Sequence, residues 1–420
     1  MNSSTMVGSD SKSIRVLYVD GVGPFGGASR SLYEAIRSLP PGSVEGYFVA
    51  ADGTALEYYR KLAKDMVVTR GLTRFDNTQY SHYRGARWLV LLREAFHLPY
   101  TLASIVRAKR RWRSIDVIHV NEVTEIIPGL VARLIFRAPM IVHVRSPQNN
   151  VVRSKRSKLI RSILRSQAVM VIAIDETVRS SLPQDIDVEV LHNSFSRASD
   201  RPDPPFKEKL DKALMGGMFT VGYVGSLHVS KGIMDLVEAA KIVCDKRRDI
   251  QFAIVGGMTD DDRSLRARAL AALGLAQNIG SDVVNKISEY GIGTHFHLLG
   301  PTCDISVAYD AFDVLAFPSH LKAAGRPVFE AAFAGVPSIV AVEDPKPDTL
   351  VHGETGLSVP EKSPKALAEA ICYLADNRIK SAKMGQSARL LAEKNFNPVS
   401  NSARLLEMYR RAHYARALAQ

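Results

Sequence analysis

Three stretches of this chain hold residue types at spacings that suit phosphate and sugar-hydroxyl chemistry. Residues 21–26 read GVGPFG, a G-x-G-x-x-G between an apolar run and a helical pattern at Leu32, Ala35, Ile36 and Leu39. Such a loop lets backbone N–H groups approach a phosphate, either in a dinucleotide fingerprint or in a glycine-rich loop built for another ligand. Residues 222–232 read GYVGSLHVSKG; they end a strand, turn at Gly225 and enter a helix at Ser230-Lys231-Gly232. A lysine at a helix N-terminus joins a mobile cation to free N–H groups and the positive end of the dipole, which suits a diphosphate. By itself the stretch also reads as an ordinary strand–helix turn with a surface lysine. Residues 317–341, FPSHLKAAGRPVFEAAFAGVPSIVA, run from a strand through a loop to a helix with Glu330 near its start. A carboxylate there can accept two hydroxyl hydrogen bonds, as a ribose diol requires; alone, it is equally a solvated or capping side chain.

The elements that must position these residues are legible from pattern. Short apolar runs alternate with helical patterns in both halves: 14–20, 44–50, 116–121, 139–144, 168–174 and 188–192, then 219–225, 250–256, 294–299, 313–318 and 337–342. Continuous Val/Ile/Leu/Phe runs without strict alternation are parallel strands buried on both faces. Their alternation with helices predicts two Rossmann-like, doubly wound domains, with ligands at the carboxyl ends of the strands. The polar, Pro/Gly-rich segment 196–217 reads as the linker. The expected division is a frayed tail over 1–13, domains over 14–200 and 201–395, and terminal helices over 396–420, with a binding cleft between facing domains.

Composition narrows the classes. Hydrophobic residues make up 46% of the 420. No apolar run reaches the ~18–20 residues of a membrane-spanning helix, and the first residues lack the apolar core of a signal peptide. Cys244, Cys303 and Cys372 sit in no metal or redox spacing and read as buried small hydrophobes in a reducing, cytoplasmic compartment. Asp260-Asp261-Asp262 reads as helix-start carboxylates rather than a Mg²⁺ site; no metal and no cofactor are expected. A dinucleotide reading of GVGPFG would want an acidic residue about 20 positions on. Asp52 lies farther away, before Gly53 in a turn, and that reading leaves the second half unexplained.

The order VGSLHVSKG, FAIVGG, HLLG, DVLAFPS, RPVFEAAFAGVPSIVA and HGETGLSVP resembles the nucleotide-binding half of retaining GT-B glycosyltransferases of group 4 (glycosyl transferases group 1). GGAS (26–29), DVIHVNE (116–122), MIVHVRSP (140–147) and LHNSF (191–195) agree with its first half. The resemblance covers roughly residues 14–400 and rests on the ordered set, not on any single piece. It implies a nucleoside diphosphate sugar as donor substrate and a glycan or lipid-linked acceptor, with transfer in cell-surface polysaccharide biosynthesis. Glu330 would hold the ribose hydroxyls, and Lys231 would neutralise the leaving diphosphate with N–H groups of Gly26 and Gly27. Ser226, Gly300, Lys322, Arg326, Pro327 and Val328 would complete the donor site. Arg145, just past a strand end where the family often has a histidine, would be a cation for phosphate or acceptor, with His119, Asn121 and Glu122 beside it. His143 reads as a strand histidine satisfied inside the sheet. The chain departs from the family at two positions: Lys322 stands where a first glutamate usually precedes Glu330, and Ser226 stands where an arginine is common. Lys322 or Arg326 then meets a donor carboxylate or supplies the missing phosphate contact. Two other readings remain, a nucleotide-sugar epimerase of the same build and a non-catalytic nucleotide-sugar-binding subunit.

The charge is lopsided. Residues 1–200 hold 28 Lys+Arg against 18 Asp+Glu; residues 201–420 hold 27 against 25. The excess lies in RAKRRWR (107–113, with Arg110 and Arg111) and in RSKRSKLIRSILRS (153–166), where Lys158, Arg161 and Arg165 share a helix face opposite Leu159, Ile160, Ile163 and Leu164. A basic amphipathic helix of this kind either lies on an anionic membrane, making the protein peripheral at its inner face, or packs its apolar side on its own domain. No nucleic acid is expected, since no aromatic platform accompanies the charge.

Overall fold

The computed structural model describes residues 13–79, 90–151, 154–198, 201–257 and 279–417; the expectations for the first residues, for Arg153 and for Asp260–Asp262 lie outside these. The chain forms two compact units, Met1–Ser194 with Pro398–Gln420, and Phe195–Asn397. The divisions therefore fall at 194/195 and 397/398 rather than after 200 and 395. The reason is packing: Phe195 is buried with Phe329 and Phe396 in a small cluster of the second unit, and its N–H donates to the Phe396 carbonyl at 3.3 Å.

The first unit is a seven-stranded parallel sheet, β1 (Ile14–Asp20), β2 (Val44–Ala51), β3 (Ala63–Thr69), β4 (Val117–Val120), β5 (Met140–Val144), β6 (Ala168–Ala173) and β7 (Val188–Val190), in the order β3-β2-β1-β4-β5-β6-β7. Its helices are α1 (Gly27–Arg37), α2 (Ala55–Tyr59), α3 (Val90–Trp112), α4 (Ile126–Phe136), α5 (Lys155–Gln167) and α6 (Glu176–Ser180). The second unit holds α7 (Pro204–Ala213), α8 (Ile233–Cys244), α9 (Gly280–Glu289), α10 (Ile305–Tyr309), α11 (Arg326–Phe333), α12 (Pro364–Asp376) and α13 (Arg378–Asn395). Its six parallel strands are β8 (Phe219–Val224), β9 (Ile250–Val255), β10 (Phe296–Gly300), β11 (Val314–Phe317), β12 (Ser338–Ala341) and β13 (Gly356–Val359), ordered β10-β9-β8-β11-β12-β13. The last helix, α14 (Pro398–Ala417), belongs to the first unit, where Leu405, Leu406, Met408 and Tyr409 share a core with Val16, Tyr18 and Phe48.

Each sheet reverses its order once, between β1 and β4 and between β8 and β11. At such a reversal the connections leave toward opposite faces, and a crevice opens beyond the carboxyl ends of the two strands. GVGPFG follows β1, the turn carrying Lys231 follows β8, and the loop that leads into α11 with Glu330 follows β11.

Segment 196–217 is not a bare linker. Asp203 accepts the Phe206 N–H at 3.2 Å and caps α7, whose prolines occupy the first turn. Proline is tolerated there because those N–H groups have no intrahelical partner. Phe206 and Leu210 are buried, which holds the helix in place. Cys244 is buried, but Cys303 is exposed on the loop after β10 and Cys372 is half-buried, so only the first behaves as expected.

Candidate functional site

In the second unit the turn after β8 is held by its own side chains. The His228 Nδ1 accepts the Ser230 N–H at 3.2 Å, and residues 229–231 form a single 3₁₀ turn. Lys231 lies in that turn rather than in the first turn of α8, because Gly232 at φ 70° breaks the path before the helix starts. Only glycine fits there: a Cβ on Gly232 would lie 1.8 Å from the Pro318 carbonyl oxygen. That approach joins the two loops at the sheet reversal. The His320 N–H and the Ser319 hydroxyl both donate to the Ser230 carbonyl, at 3.0 and 3.3 Å, and the His320 ring bonds Asp235 at 2.8 Å. Burial pushes the Lys231 ammonium below its usual range. Among the described residues it has no ion-pair or hydrogen-bond partner. A desolvated, unpaired cation at a strand end is prepared for an anionic ligand.

Glu330 is buried on α11 and already held. Tyr309 donates to its Oε2 at 2.9 Å, and Arg326, one turn earlier, donates to its Oε1 at 3.0 Å through Nε. Both oxygens of the carboxylate therefore already accept hydrogen bonds within the protein. Arg326, expected to meet a donor carboxylate or phosphate, is thus ion-paired with Glu330. Lys322 is exposed, with φ 49° in the left-handed region, and no acidic partner among the described residues. Val328 is a core residue whose N–H donates to the Gly325 carbonyl at 3.0 Å, so neither its side chain nor its amide is available to a donor. Pro327 sits in the first turn of α11. Gly300 ends β10 at φ 81°, its carbonyl accepting the Gly256 N–H at 2.8 Å. Ser226 is exposed; its carbonyl accepts the Tyr223 hydroxyl at 2.9 Å.

In the first unit the glycine loop serves two ends. Gly26 is the N-cap of α1, and both Gly26 and Gly27 are exposed, with no side chain capping the helix. Gly23 has a different reason: its Cβ would lie 2.3 Å from the Asp52 carbonyl oxygen, so it lets the loop close on the turn after β2.

The acceptor-side candidates are drawn together, but inward. Arg145 donates from Nε to Asn121 Oδ1 at 2.7 Å, from Nη1 to Asn193 Oδ1 at 2.9 Å and from Nη2 to His143 Nδ1 at 3.3 Å. It is buried and ties the ends of β4 and β5 to the chain leaving β7. Asn121 also donates to the Ala28 carbonyl at 3.3 Å. Glu122 caps the Val123 N–H at 2.7 Å, and burial pushes its carboxyl up to about 7. His119, expected beside the acceptor, is fully buried and shares a 2.8 Å hydrogen bond with the Tyr409 hydroxyl of α14. Burial, and secondarily the Arg145 charge, lower its pKa to about 3, so it is neutral. His143 is likewise buried and held well below its usual pKa, with its Nε2 lacking a hydrogen bond among the described residues.

Two acidic groups beside the glycine loop carried no periodic signal in the sequence. Asp20, the last residue of β1, accepts the Val22 N–H at 3.1 Å and the Tyr59 hydroxyl, holding the start of the loop. Glu125 lies against Gly21, fully buried, with Arg74 Nε at 3.4 Å and no hydrogen bond to either oxygen among the described residues. Burial pushes its carboxyl up to about 8; Arg74 opposes this, while Asp20, Glu94 and Glu122 add to it. A carboxyl raised in the fold keeps its proton where the unfolded chain has lost it. Its contribution is therefore full below about pH 4.5 and is lost as pH rises through about 8. Unfolding free energy measured by urea titration is expected to fall from about pH 5 to about pH 8. Glu125→Gln should remove its share of that slope, leaving the part due to Glu122, and exceed the parent protein in stability at the alkaline end.

Three arginines of the basic segments are paired with acids of the same unit. Arg161 and Arg165 of α5 pair with Asp185 at 2.8 and 3.4 Å, and Arg111 pairs with Asp65 at 2.6 Å. Ile160 and Leu164 are buried in the domain core, so of the two readings of α5, packing on its own domain describes them; Leu159 and Lys158 remain exposed. Arg110 is exposed at the end of α3. No helix among the described residues is long and apolar enough to cross a membrane.

Residues 207–391 match the family Glycosyl transferases group 1. The capsular polysaccharide biosynthesis glycosyltransferase CapM of Staphylococcus aureus is 28% identical over 46% of this chain and 45% of its own. The D-inositol 3-phosphate glycosyltransferase of Corynebacterium glutamicum is 29% identical over 45% of this chain and 42% of its own. The chain thus spans under half the length of these curated relatives. Among solved structures, Anabaena Alr3699/HepE in complex with UDP superposes with a TM-score of 0.72 at 19% identity, over 95% of this chain and 100% of that one. Sucrose-phosphate synthase of Thermosynechococcus elongatus gives 0.70 at 18% identity, over 96% and 100%. The match to that family thus covers residues 207–391, in a chain with the two-domain fold of the GT-B glycosyltransferases.

Proposed function

We propose that this protein is a retaining glycosyltransferase that moves a sugar from a nucleoside diphosphate sugar to a glycan or lipid-linked acceptor in cell-surface polysaccharide synthesis. The observation that carries this reading is the half-buried Lys231 ammonium at the β8/β11 reversal, unpartnered among the described residues, on a loop bonded to the one that leads to Glu330. As the bond between the anomeric carbon and the diphosphate breaks, negative charge grows on the leaving phosphate. A preorganised cation there stabilises the transition state more than the ground state. In this reading the Glu330 carboxylate accepts from the ribose hydroxyls, and the exposed N-terminus of α1 at Gly26-Gly27 presents N–H groups of the kind that bind phosphate. In this reading the protein supplies the positive charge itself, with no metal or cofactor, and no side chain acts as nucleophile. The capsular polysaccharide role of the Staphylococcus aureus relative and the UDP-glucose complex of HepE support donor and pathway class.

The test is calorimetric binding across UDP, GDP and nucleotide sugars, including uronic acids, followed by acceptor-dependent release of nucleoside diphosphate. Micromolar binding of one donor and release that requires an acceptor are expected. Donor conversion without acceptor would replace transfer by epimerisation, and no binding by any member of the panel would overturn the reading.

A further inference from the structure

Helix α3 is built inside out. Its buried side carries Glu94, Thr101 and Ser104 beside Ile105, Ala108 and Trp112. Those polar groups are satisfied there: Thr101 accepts the Thr73 N–H at 2.8 Å, Glu94 accepts the Arg74 N–H at 2.6 Å, and Ser104 donates to the Thr101 carbonyl at 2.9 Å. The opposite side exposes Leu91, Leu92, Phe96, Leu98, Leu102 and Val106, with Leu92 at 68% and Phe96 at 60%. At 3.6 residues per turn Leu92, Phe96, Ala103 and Val106 form one stripe, about 20 Å long, that ends at Arg110. Apolar side chains turned to water while polar ones are buried cost free energy, unless something apolar covers them.

Charge says what that cover is. The only carboxylate of α3, Glu94, is on the buried side. Arg107 borders the stripe and Arg110 closes it; both are exposed and have no acidic partner among the described residues. Arg70 adds a further cation over the Tyr100 ring, 5.9 Å from its centroid. An apolar stripe with cations on its border and no exposed acid is complementary to acyl chains beneath a layer of phosphates.

We propose that α3 seats this protein on an anionic phospholipid surface, with Leu92, Phe96, Leu102 and Val106 among the upper acyl carbons and Arg107 and Arg110 against lipid phosphates. The inference rests on the surface of the first unit and is independent of the transfer reading. It moves the membrane contact from α5, whose Arg161 and Arg165 face Asp185, to α3.

Flotation of the full chain with phosphatidylcholine vesicles, with and without phosphatidylglycerol, tests it. The protein is expected to float with the anionic vesicles and only weakly with the neutral ones. The combined variant Leu92→Gln, Phe96→Gln, Val106→Gln should bind at least about tenfold more weakly. The pair Arg107→Ala, Arg110→Ala should lose about tenfold and most of the salt dependence. All altered side chains are exposed, and an unchanged thermal midpoint checks that each variant is folded. No flotation with either vesicle, equal flotation with both, or equal binding by parent and variants would overturn the proposal. So would a concentration-dependent dimer that the apolar variant dissolves, since a second copy would then be the cover. Nucleotide binding in the same preparations reports separately on the donor site.

Discussion

Lys231→Met is expected to lower turnover by about 10²–10³-fold, the cost of removing one preorganised group opposite developing charge, while leaving the thermal midpoint unchanged or higher. The two effects part because the ammonium is half-buried and has no partner among the described residues. A buried cation without a counter-charge costs desolvation free energy, which a bound anion offsets. Burial also lowers its pKa, so loss of activity on raising pH should begin below the range of an ordinary lysine and vanish in the variant. Lys231→Arg should restore part of the rate, as a fork of donors can reach a phosphate but not from the same point. Acceptor-dependent release of nucleoside diphosphate, read beside a thermal melt, checks each statement. Turnover equal to the parent would remove Lys231 from the reaction.

Glu330→Ala should act on both stability and donor affinity. Removing the carboxylate leaves the Arg326 guanidinium, only 12% exposed, without its counter-charge and the Tyr309 hydroxyl without its acceptor. Breaking a buried pair from one side costs about 3–5 kcal/mol, which lowers the midpoint of a urea melt measurably. Arg326→Met combined with Glu330→Gln removes both charges, so it should recover most of the stability. It should not recover nucleotide affinity, because an amide cannot accept two hydroxyls as a carboxylate does. Recovery of both together would make Glu330 a purely structural residue.

The parallel strands were legible because each is a continuous apolar run bounded by turn residues. β3 was not, since Ala63–Thr69 reads AKDMVVT and lies at a sheet edge with only Val67 and Thr69 buried. β13, inside HGETGLSVP, is four residues long and equally polar. The Arg326–Glu330 pair was written in the sequence as an i, i+4 spacing on a helix. Its partner Tyr309, from a different helix, was not. His119 shows the limit most plainly. A histidine in DVIHVNE, beside Asn121 and Glu122, looks like an acceptor residue until α14 brings Tyr409 to its ring. In the same way, α3 offers apolar residues on one side and polar ones on the other, and pattern alone assigns the apolar side to the core.

The amino-acid sequence by itself determined the class of fold, its two sheets, and the loops after β1, β8 and β11 where chemistry can collect. Hydrophobic period, glycine and proline are local properties, and a strand followed by a turn and a helix can be read within thirty residues or so. Only the tertiary structure decided which polar side chains are free. Among the described residues the Lys231 ammonium is left without a partner, whereas Arg145 bonds Asn121 and Asn121 bonds the Ala28 carbonyl, both more than twenty residues away, and Glu122 caps the adjacent Val123 N–H. Hydrogen-bond satisfaction and desolvation depend on neighbours that a chain acquires by folding, and no spacing along the sequence records them.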